Sequence, residues 1–186
     1  MSSEIIENQI TEQYLSIGKF VVHFEHLFFA MKLKVTQLCG GGEETRLLLE
    51  PYSVRNTIET LENLIKIKIG KKTISDKDKV LYKALIKDLI NLNTKRNGII
   101  HTTWFIGWRS DNDTDVSEFQ GSKFTSALNQ KFKTYTAEEI NTITEECKIL
   151  YSVFFTLWSI DNFSFENFEL NQMWERTEKG WLEVKK

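Results

Sequence analysis

The chain has 186 residues, of which 41% are hydrophobic and 27% are charged, and its formal net charge is −2. This composition is typical of a folded globular protein and excludes a wholly disordered chain. One proline and nine glycines in the whole chain favour long helices over a strand-rich fold, so we predict an all-α class.

One domain spanning residues 1–186 is the simplest interpretation of this length, with a helical core over residues 4–160. We expect no secretory signal, because the first residues show neither a basic region nor an apolar core. The apolar runs are short or interrupted by polar residues, so no membrane span is expected. Cys39 and Cys147 lack metal-ligand spacing, and we interpret them as reduced core thiols of a cytoplasmic protein.

Apolar spacing predicts four main helices. The first covers residues 4–39 and ends at three consecutive glycines, and a short helical turn follows at about 43–50. The second covers 54–69. The third begins at a capping box over residues 75–78, and the fourth begins at another over 136–139. We therefore predict an up-and-down bundle of four to five helices.

Two segments depart from the helical pattern. Residues of about 102–135 combine β-branched, aromatic and turn-forming types, which predicts a small irregular or hairpin insertion after the third main helix. The tail over residues 161–186 is rich in aromatic side chains, and we expect it to pack on the bundle or on a partner. The aromatic residues of the tail on which this expectation depends are Phe163, Phe165, Phe168, Trp174 and Trp181.

Charge is distributed unevenly along the chain. Residues 66–96 carry 10 basic and 3 acidic side chains, a net charge of +7, whereas the segments on either side are net acidic. Such a segment favours contact with a phosphate backbone, and Lys87 and Lys95 are its candidate contacts. The alternative, which charge alone favours, is a solvated lysine face on two helices.

A polar motif lies at the end of the third helix. Arg96 continues the apolar stripe of that helix, while Asn97 and His101 continue a neighbouring line of apolar residues. A charge on a face that is otherwise apolar is costly unless something pairs with it. The three residues are therefore predicted to line a pocket or an interface.

These residue types suit the cleavage of RNA by its own 2′-hydroxyl. Histidine can act as base or acid near neutral pH, and arginine can clamp a phosphate. On a continuous helix Arg96 and His101 would point about 140° apart. Either Gly98 loosens the helix, or a second copy of the chain completes the site and supplies a second histidine. Trp104 and Trp108 are candidates for stacking on a base, although core packing is the more common role of such residues.

The spacing Arg96-x4-His101, with a polar Asn97 directly after the arginine, resembles the signature of the HEPN superfamily. The resemblance implies a metal-independent, cofactor-free endoribonuclease that forms a homodimer with the motif at the interface. It implies cleavage to a 2′,3′-cyclic phosphate, and a role as a toxin or in anti-phage defence, with an antitoxin or another protein as a further partner. Thr103 stands where some toxins of this superfamily carry a tyrosine that their partner modifies, so that route of regulation is not expected.

Two alternatives remain open at this point. In the first, the chain is a non-catalytic helical binding module of the same fold, and its motif has a structural or ligand-binding role. In the second, it is a helical subunit whose aromatic tail docks on another protein. RNA cleavage that is lost on substitution of Arg96 or His101 would separate the enzyme from both.

Overall fold

The structure is a computed structural model that describes residues 3–70, 75–108, 115–124, 130–158 and 170–184. About 70% of the described residues are helical. The five α-helices are α1 (Ser3–Leu38), α2 (Glu43–Leu49), α3 (Val54–Gly70), α4 (Asp76–Ile100) and α5 (Ala137–Trp158). The main helices predicted from apolar spacing are therefore confirmed, with ends that differ by a residue or two.

Two small antiparallel sheets correct the prediction of an all-α class. Strands β1 (Thr103–Phe105), β2 (Glu118–Phe124) and β3 (Gln130–Thr136) form a sheet in the order β1-β2-β3. Strands β4 (Trp174–Thr177) and β5 (Gly180–Glu183) form a hairpin near the end of the chain. Both sheets form where aromatic and β-branched residues replace the helical pattern. The chain is broadly helical and not a pure helical bundle.

The chain divides into two compact units. The first unit comprises residues 1–24 and 94–145, and the second comprises residues 25–93 and 146–186. The interpretation of residues 1–186 as a single domain stays a prediction.

In the first unit, two glutamines of α1 form hydrogen bonds with the segment just before β2. The Gln9 amide nitrogen donates to Asp115 Oδ1 at 2.9 Å, and the backbone N–H of Val116 donates to Gln9 Oε1 at 3.1 Å. The amide nitrogen of Gln13 donates to the carbonyl oxygen of Val116. Asp115 also accepts the backbone N–H and the hydroxyl of Ser117, and these bonds, with that from Gln9, hold the pKa of its carboxyl below the usual range. The strand is thereby held in one register against the helix.

The three-stranded sheet packs one face around Trp104. Its indole lies 5.1 Å from the ring of Phe119 and 5.4 Å from the ring of Tyr135, measured between centroids. Gly121 is the cross-strand partner of Trp104, and a Cβ atom at Gly121 would lie 2.8 Å from the indole and 2.3 Å from the methyl group of Thr102. Glycine is therefore required at this position, because the indole occupies the space of a side chain.

In the second unit, the C-terminal hairpin is anchored by one carboxylate of α4. Asp88 accepts Arg176 Nε at 2.8 Å and the indole N–H of Trp181 at 2.9 Å. Trp174 donates its indole N–H to the hydroxyl of Thr156 at 3.1 Å. Both tryptophans are buried.

These contacts confirm the expectation that the tail packs on the protein, for the part of the tail over residues 170–184. The expectation also named Phe163, Phe165 and Phe168, and these three lie outside the described residues.

Both predicted capping boxes are confirmed. The hydroxyl of Ser75 accepts the backbone N–H of Asp78 at 3.1 Å and donates to the carboxylate of Asp78 at 2.6 Å, at the start of α4. At the start of α5, the backbone N–H of Thr136 donates to Glu139 Oε2 at 2.8 Å, and Thr136 Oγ1 accepts the backbone N–H of Glu139 at 3.1 Å. Side chains thus satisfy N–H groups that have no partner within the helix.

Both cysteines are free thiols, but they differ in their surroundings. Cys147 is buried, and burial raises the pKa of its thiol to about 12, whereas Cys39 is exposed. The prediction of two core thiols is therefore wrong for Cys39, which is the last residue before the glycine turn that follows α1.

Candidate active site

The end of α4 is closed by two side chains from the segment that follows it. The hydroxyl of Thr102 donates to the carbonyl oxygen of Gly98 at 2.6 Å. The indole N–H of Trp104 donates to the carbonyl oxygen of Ile99 at 3.0 Å. Carbonyl groups in the last turn of a helix have no partner within the helix, so these bonds fix the place where α4 ends. Trp104 therefore has a structural role at the motif.

Arg96, Asn97 and His101 come together at this helix end. Arg96 Nη1 lies 3.3 Å from His101 Nε2 and 3.2 Å from Asn97 Oδ1. Arg96 and Asn97 are half-buried, whereas His101 is exposed. The imidazole of the motif is therefore accessible to a substrate from solvent, and the guanidinium lies directly beside it.

An aromatic ring of α1 supports the guanidinium of Arg96. Its Cζ atom lies 5.5 Å from the ring centroid of Phe24, within the range of a cation–π contact. The ring of Phe20 lies 5.9 Å from that of Phe24, and both rings are buried. Ile99, three residues further along α4, is fully buried. The guanidinium is therefore held on a rigid support.

The contact between Arg96 and His101 occurs within one chain, although helical geometry placed the two residues about 140° apart. Helix α4 remains regular through Gly98 and ends at Ile100, so His101 already lies in the turn that follows the helix. The imidazole is therefore not held at a helical angle, and the long arginine side chain covers the remaining distance. The angular argument for a two-chain site is wrong, and what remains of that hypothesis is the need for a second histidine.

The contact sets a condition on the imidazole. A guanidinium has five N–H donors and no acceptor, so Arg96 Nη1 can hydrogen-bond to His101 Nε2 only in the tautomer whose Nε2 atom carries a lone pair. A general base would use the same lone pair.

Tyr135 of β3 lies beside the last turn of α4, and Lys133 lies against its ring. The hydroxyl of Tyr135 lies 3.4 Å from the position that a Cβ atom would take on Gly98. The ammonium group of Lys133 lies 4.2 Å from the ring centroid of Tyr135. Sequence reasoning missed Phe24, Tyr135 and Lys133, because nothing in their spacing links them to the motif.

The residues predicted to contact RNA are placed differently from one another. Lys95 is half-buried in the first unit, next to Arg96 in sequence, and it has contacts of its own. Trp104 serves the helix end and the sheet core, as the alternative interpretation expected. Lys87 belongs to the second unit, where it lines a groove of about 460 Å³ between α3 and α4 together with Lys66 and Lys83.

In the described part of the chain, no group of three or more histidine, cysteine, aspartate or glutamate side chains is arranged to hold a metal ion. Within the same ranges, no helix is both long and apolar enough to cross a membrane.

Comparison with models of protein families, with curated proteins and with solved structures found no match for this chain. Function can therefore be inferred only from the site itself, and the HEPN resemblance depends on the motif.

Proposed function

We propose that this protein is a metal-independent endoribonuclease of HEPN type, with Arg96 and His101 as its catalytic pair. The distance of 3.3 Å between Arg96 Nη1 and His101 Nε2 carries the proposal, because it couples a phosphate-binding cation to a group that can move a proton. The proposal includes an up-and-down helical bundle, a cytoplasmic location and a role as a toxin or in anti-phage defence. The motif resemblance supports those three points.

The proposed reaction begins when a phosphodiester of RNA binds to the guanidinium of Arg96. A phosphate offers two oxygens to the arginine fork, and its binding draws the guanidinium away from the imidazole. His101 Nε2 then accepts the proton of the ribose 2′-hydroxyl, and the 2′-oxygen forms a bond to phosphorus. The bond from phosphorus to the 5′-oxygen breaks. The products are a 2′,3′-cyclic phosphate and a 5′-hydroxyl.

The leaving 5′-oxygen requires a proton, and one copy of the motif contains one histidine. A homodimer that brings two motifs together would supply this proton, with His101 of one chain acting as the base and His101 of the other chain acting as the acid. In the first unit, Tyr14, Leu15 and Val22 are exposed apolar residues of α1, and such a surface favours burial against another chain.

Asn97, whose oxygen accepts a hydrogen bond from Arg96, is proposed to orient the guanidinium.

The test is cleavage of a panel of structured and single-stranded RNAs in excess EDTA. We expect wild-type protein to cleave at least one RNA and to leave cyclic phosphate ends. His101→Ala and Arg96→Ala should each slow cleavage by about 100- to 10,000-fold, the range for the loss of general acid–base or charge-stabilising groups. Arg96→Lys keeps the charge but loses the planar fork, so an intermediate rate is expected.

His26→Ala is the matched control, because His26 is an exposed histidine of α1 outside the motif. It should cleave at the wild-type rate. Cleavage that persists in His101→Ala would show a contaminating nuclease and contradict the proposal. Failure of the wild type to cleave any RNA of the panel would favour the non-catalytic binding module.

A further inference from the structure

The groove between α3 and α4 in the second unit has an apolar lining. Its volume is about 460 Å³, which lies in the range of sites that bind ligands. Ile65 of α3 contributes to this lining, and so do Tyr82, Ile86 and Ile90 of α4. Ile90 is 46% exposed, whereas the other three side chains are buried. An occupant of the groove therefore meets an apolar surface.

Positive charge dominates the rest of the lining, and we call this site the lysine groove. Its charged side chains, four cations and one carboxylate, are Lys66, Lys79, Lys83, Lys87 and Glu62. Glu62 Oε1 already lies 2.6 Å from the ammonium group of Lys66. The lysine groove therefore presents an excess of positive charge to its occupant, and this excess favours an anionic ligand.

Two of these lysines have no carboxylate partner in the described part of the chain. Lys79 forms an ion pair with Asp76 at 2.9 Å, whereas neither Lys83 nor Lys87 forms an ion pair among the described residues. Both are exposed and lie one helical turn apart, where like charges repel and destabilise a helix. The pair therefore does not stabilise α4, and an anion bound between the two ammonium groups would relieve their repulsion.

The lysines and the apolar residues of α4 follow the same spacing. Each set recurs at every fourth residue, so successive members lie about 6 Å apart on two parallel rows of the helix. The basic row consists of Lys79, Lys83 and Lys87. The apolar row consists of Tyr82, Ile86 and Ile90. A ligand that uses both rows needs repeated negative charges beside a continuous apolar stripe.

This requirement distinguishes among anionic occupants. A helix with carboxylates four residues apart, beside an apolar stripe, has the same spacing as the two rows. A fatty acid has one anionic group and cannot engage a row of lysines. A phosphate backbone repeats its charge but has no apolar stripe. The aromatic side chain of the described lining, Tyr82, is only 3% exposed, which leaves little ring surface for a base to stack on.

We infer that the lysine groove binds an acidic amphipathic helix of a partner protein. Carboxylates of that helix would pair with Lys83 and Lys87, and its apolar side chains would cover Ile90. The inference gives Lys87 a protein ligand in place of the RNA contact predicted from the sequence. It does not depend on the proposed ribonuclease, because the lysine groove and the pair of Arg96 and His101 belong to different units.

The test selects binders of the full-length protein from a displayed library of helical peptides with randomised surface positions. We expect the enriched peptides to carry carboxylates four residues apart beside an apolar stripe. The most enriched peptide is then synthesised with a fluorescent label, and its affinity is measured by anisotropy. Lys83→Glu/Lys87→Glu should weaken binding by about 10-fold or more, because the charges that attract the peptide become charges that repel it.

Ile90→Ser tests the apolar row without a change of charge and should weaken binding by about 5-fold. Lys19→Glu/Lys179→Glu is the matched control, because both lysines are exposed and lie outside the groove, and the change in net charge is the same. This variant should bind the peptide as the wild type does. Thermal unfolding of each variant checks that the protein remains folded.

Three results would overturn the inference. The first is enrichment of peptides without the acidic and apolar pattern. The second is equal affinity of the peptide for the wild type and for Lys83→Glu/Lys87→Glu. The third is binding of a labelled single-stranded RNA that Lys83→Glu/Lys87→Glu abolishes and the control variant retains, because these lysines would then serve a nucleic acid.

Discussion

Two arginines, one in each unit, illustrate how surroundings determine the role of a side chain. In the second unit, Arg176 Nε lies 2.8 Å from the carboxylate of Asp88, and the pair anchors the C-terminal hairpin. In the first unit, Arg96 contacts a histidine nitrogen, an amide oxygen and an aromatic ring.

The different partners of the two arginines predict different roles for them. An ion pair with a carboxylate neutralises the guanidinium and fixes two elements together. Contact with an imidazole nitrogen instead places a permanent cation beside a group that can exchange a proton. We therefore expect Arg176 to matter for stability and Arg96 to matter for reactivity.

Alanine substitution of the two arginines should give opposite results, and this is the largest expected effect. Arg96→Ala should slow RNA cleavage by about 100-fold or more, with a change of about 1 kcal/mol or less in the free energy of unfolding. Arg176→Ala should lower the free energy of unfolding by about 1.5–3 kcal/mol, because charged hydrogen bonds to Asp88 are lost. Urea unfolding and a cleavage assay corrected for folded protein measure the two effects. A cleavage defect per folded molecule in Arg176→Ala would break the comparison.

A third cation extends the comparison to a buried charge. Lys34 of α1 is almost fully buried, its ammonium group donates to Gln37 Oε1 at 3.0 Å, and burial lowers its pKa to about 8. The unfolded chain keeps the proton up to about pH 10.4, so between about pH 8 and 10 the unfolded state binds more protons than the folded state. The free energy of unfolding should therefore rise with pH in this window, by at most about 1.4 kcal/mol per pH unit.

Urea unfolding from pH 7 to 10 tests this prediction against Lys34→Met, which should lack the rise. Lys19→Met, an exposed lysine of the same helix, is the matched control and should behave as the wild type does. Parallel pH profiles for wild type and Lys34→Met would show that the burial of Lys34 does not penalise its charge.

Gly121→Ala tests whether the sheet holds the end of α4, with Arg96 and His101, in place. The added methyl group would meet the indole of Trp104 and the methyl group of Thr102, the two residues that close α4. Overpacking of this kind costs about 1–3 kcal/mol, and we expect a parallel loss of cleavage activity. Gly18→Ala on α1 is the control, because its Cβ would meet nothing within 4 Å, and it should be neutral or stabilising. Equal stability of both variants would refute the packing of Trp104.

The two capping boxes give the smallest expected effect. Thr136→Ala should cost about 1 kcal/mol, because one hydroxyl cap of α5 is lost. Ser75→Ala should cost somewhat more, since Asn171 also donates to the Ser75 hydroxyl at 3.3 Å and to the Asp78 carboxylate at 2.9 Å. Thermal unfolding of both variants measures the difference. A greater loss in Thr136→Ala would contradict the role of Asn171.

The sequence predicts the helices well because their signals are local. Periodic apolar residues define α1, α3 and α5, and capping boxes mark the starts of α4 and α5. The strands are less predictable, because β1 depends on pairing with β2 across the sequence and a three-residue segment has little pattern of its own.

Spacing along α4 predicts that Arg96, Asn97 and His101 share a site, and the three side chains do come together, but spacing does not predict their geometry. The prediction that Arg96 and His101 point apart assumed that the helix continues through His101. In the structure the helix ends at Ile100, where Thr102 and Trp104 donate hydrogen bonds to carbonyl oxygens of its last turn. The support from Phe24 depends on tertiary packing, which no local pattern encodes.

The most direct test of the central claim is a double-mutant cycle on single-turnover RNA cleavage in EDTA. The rates of wild type, Arg96→Ala, His101→Ala and the double variant would be compared on one RNA. If Arg96 and His101 act as one unit, the double variant should be about as slow as the slower single variant. Losses that multiply in the double variant, or single variants that cleave at the wild-type rate, would contradict the claim that the two residues form a catalytic pair.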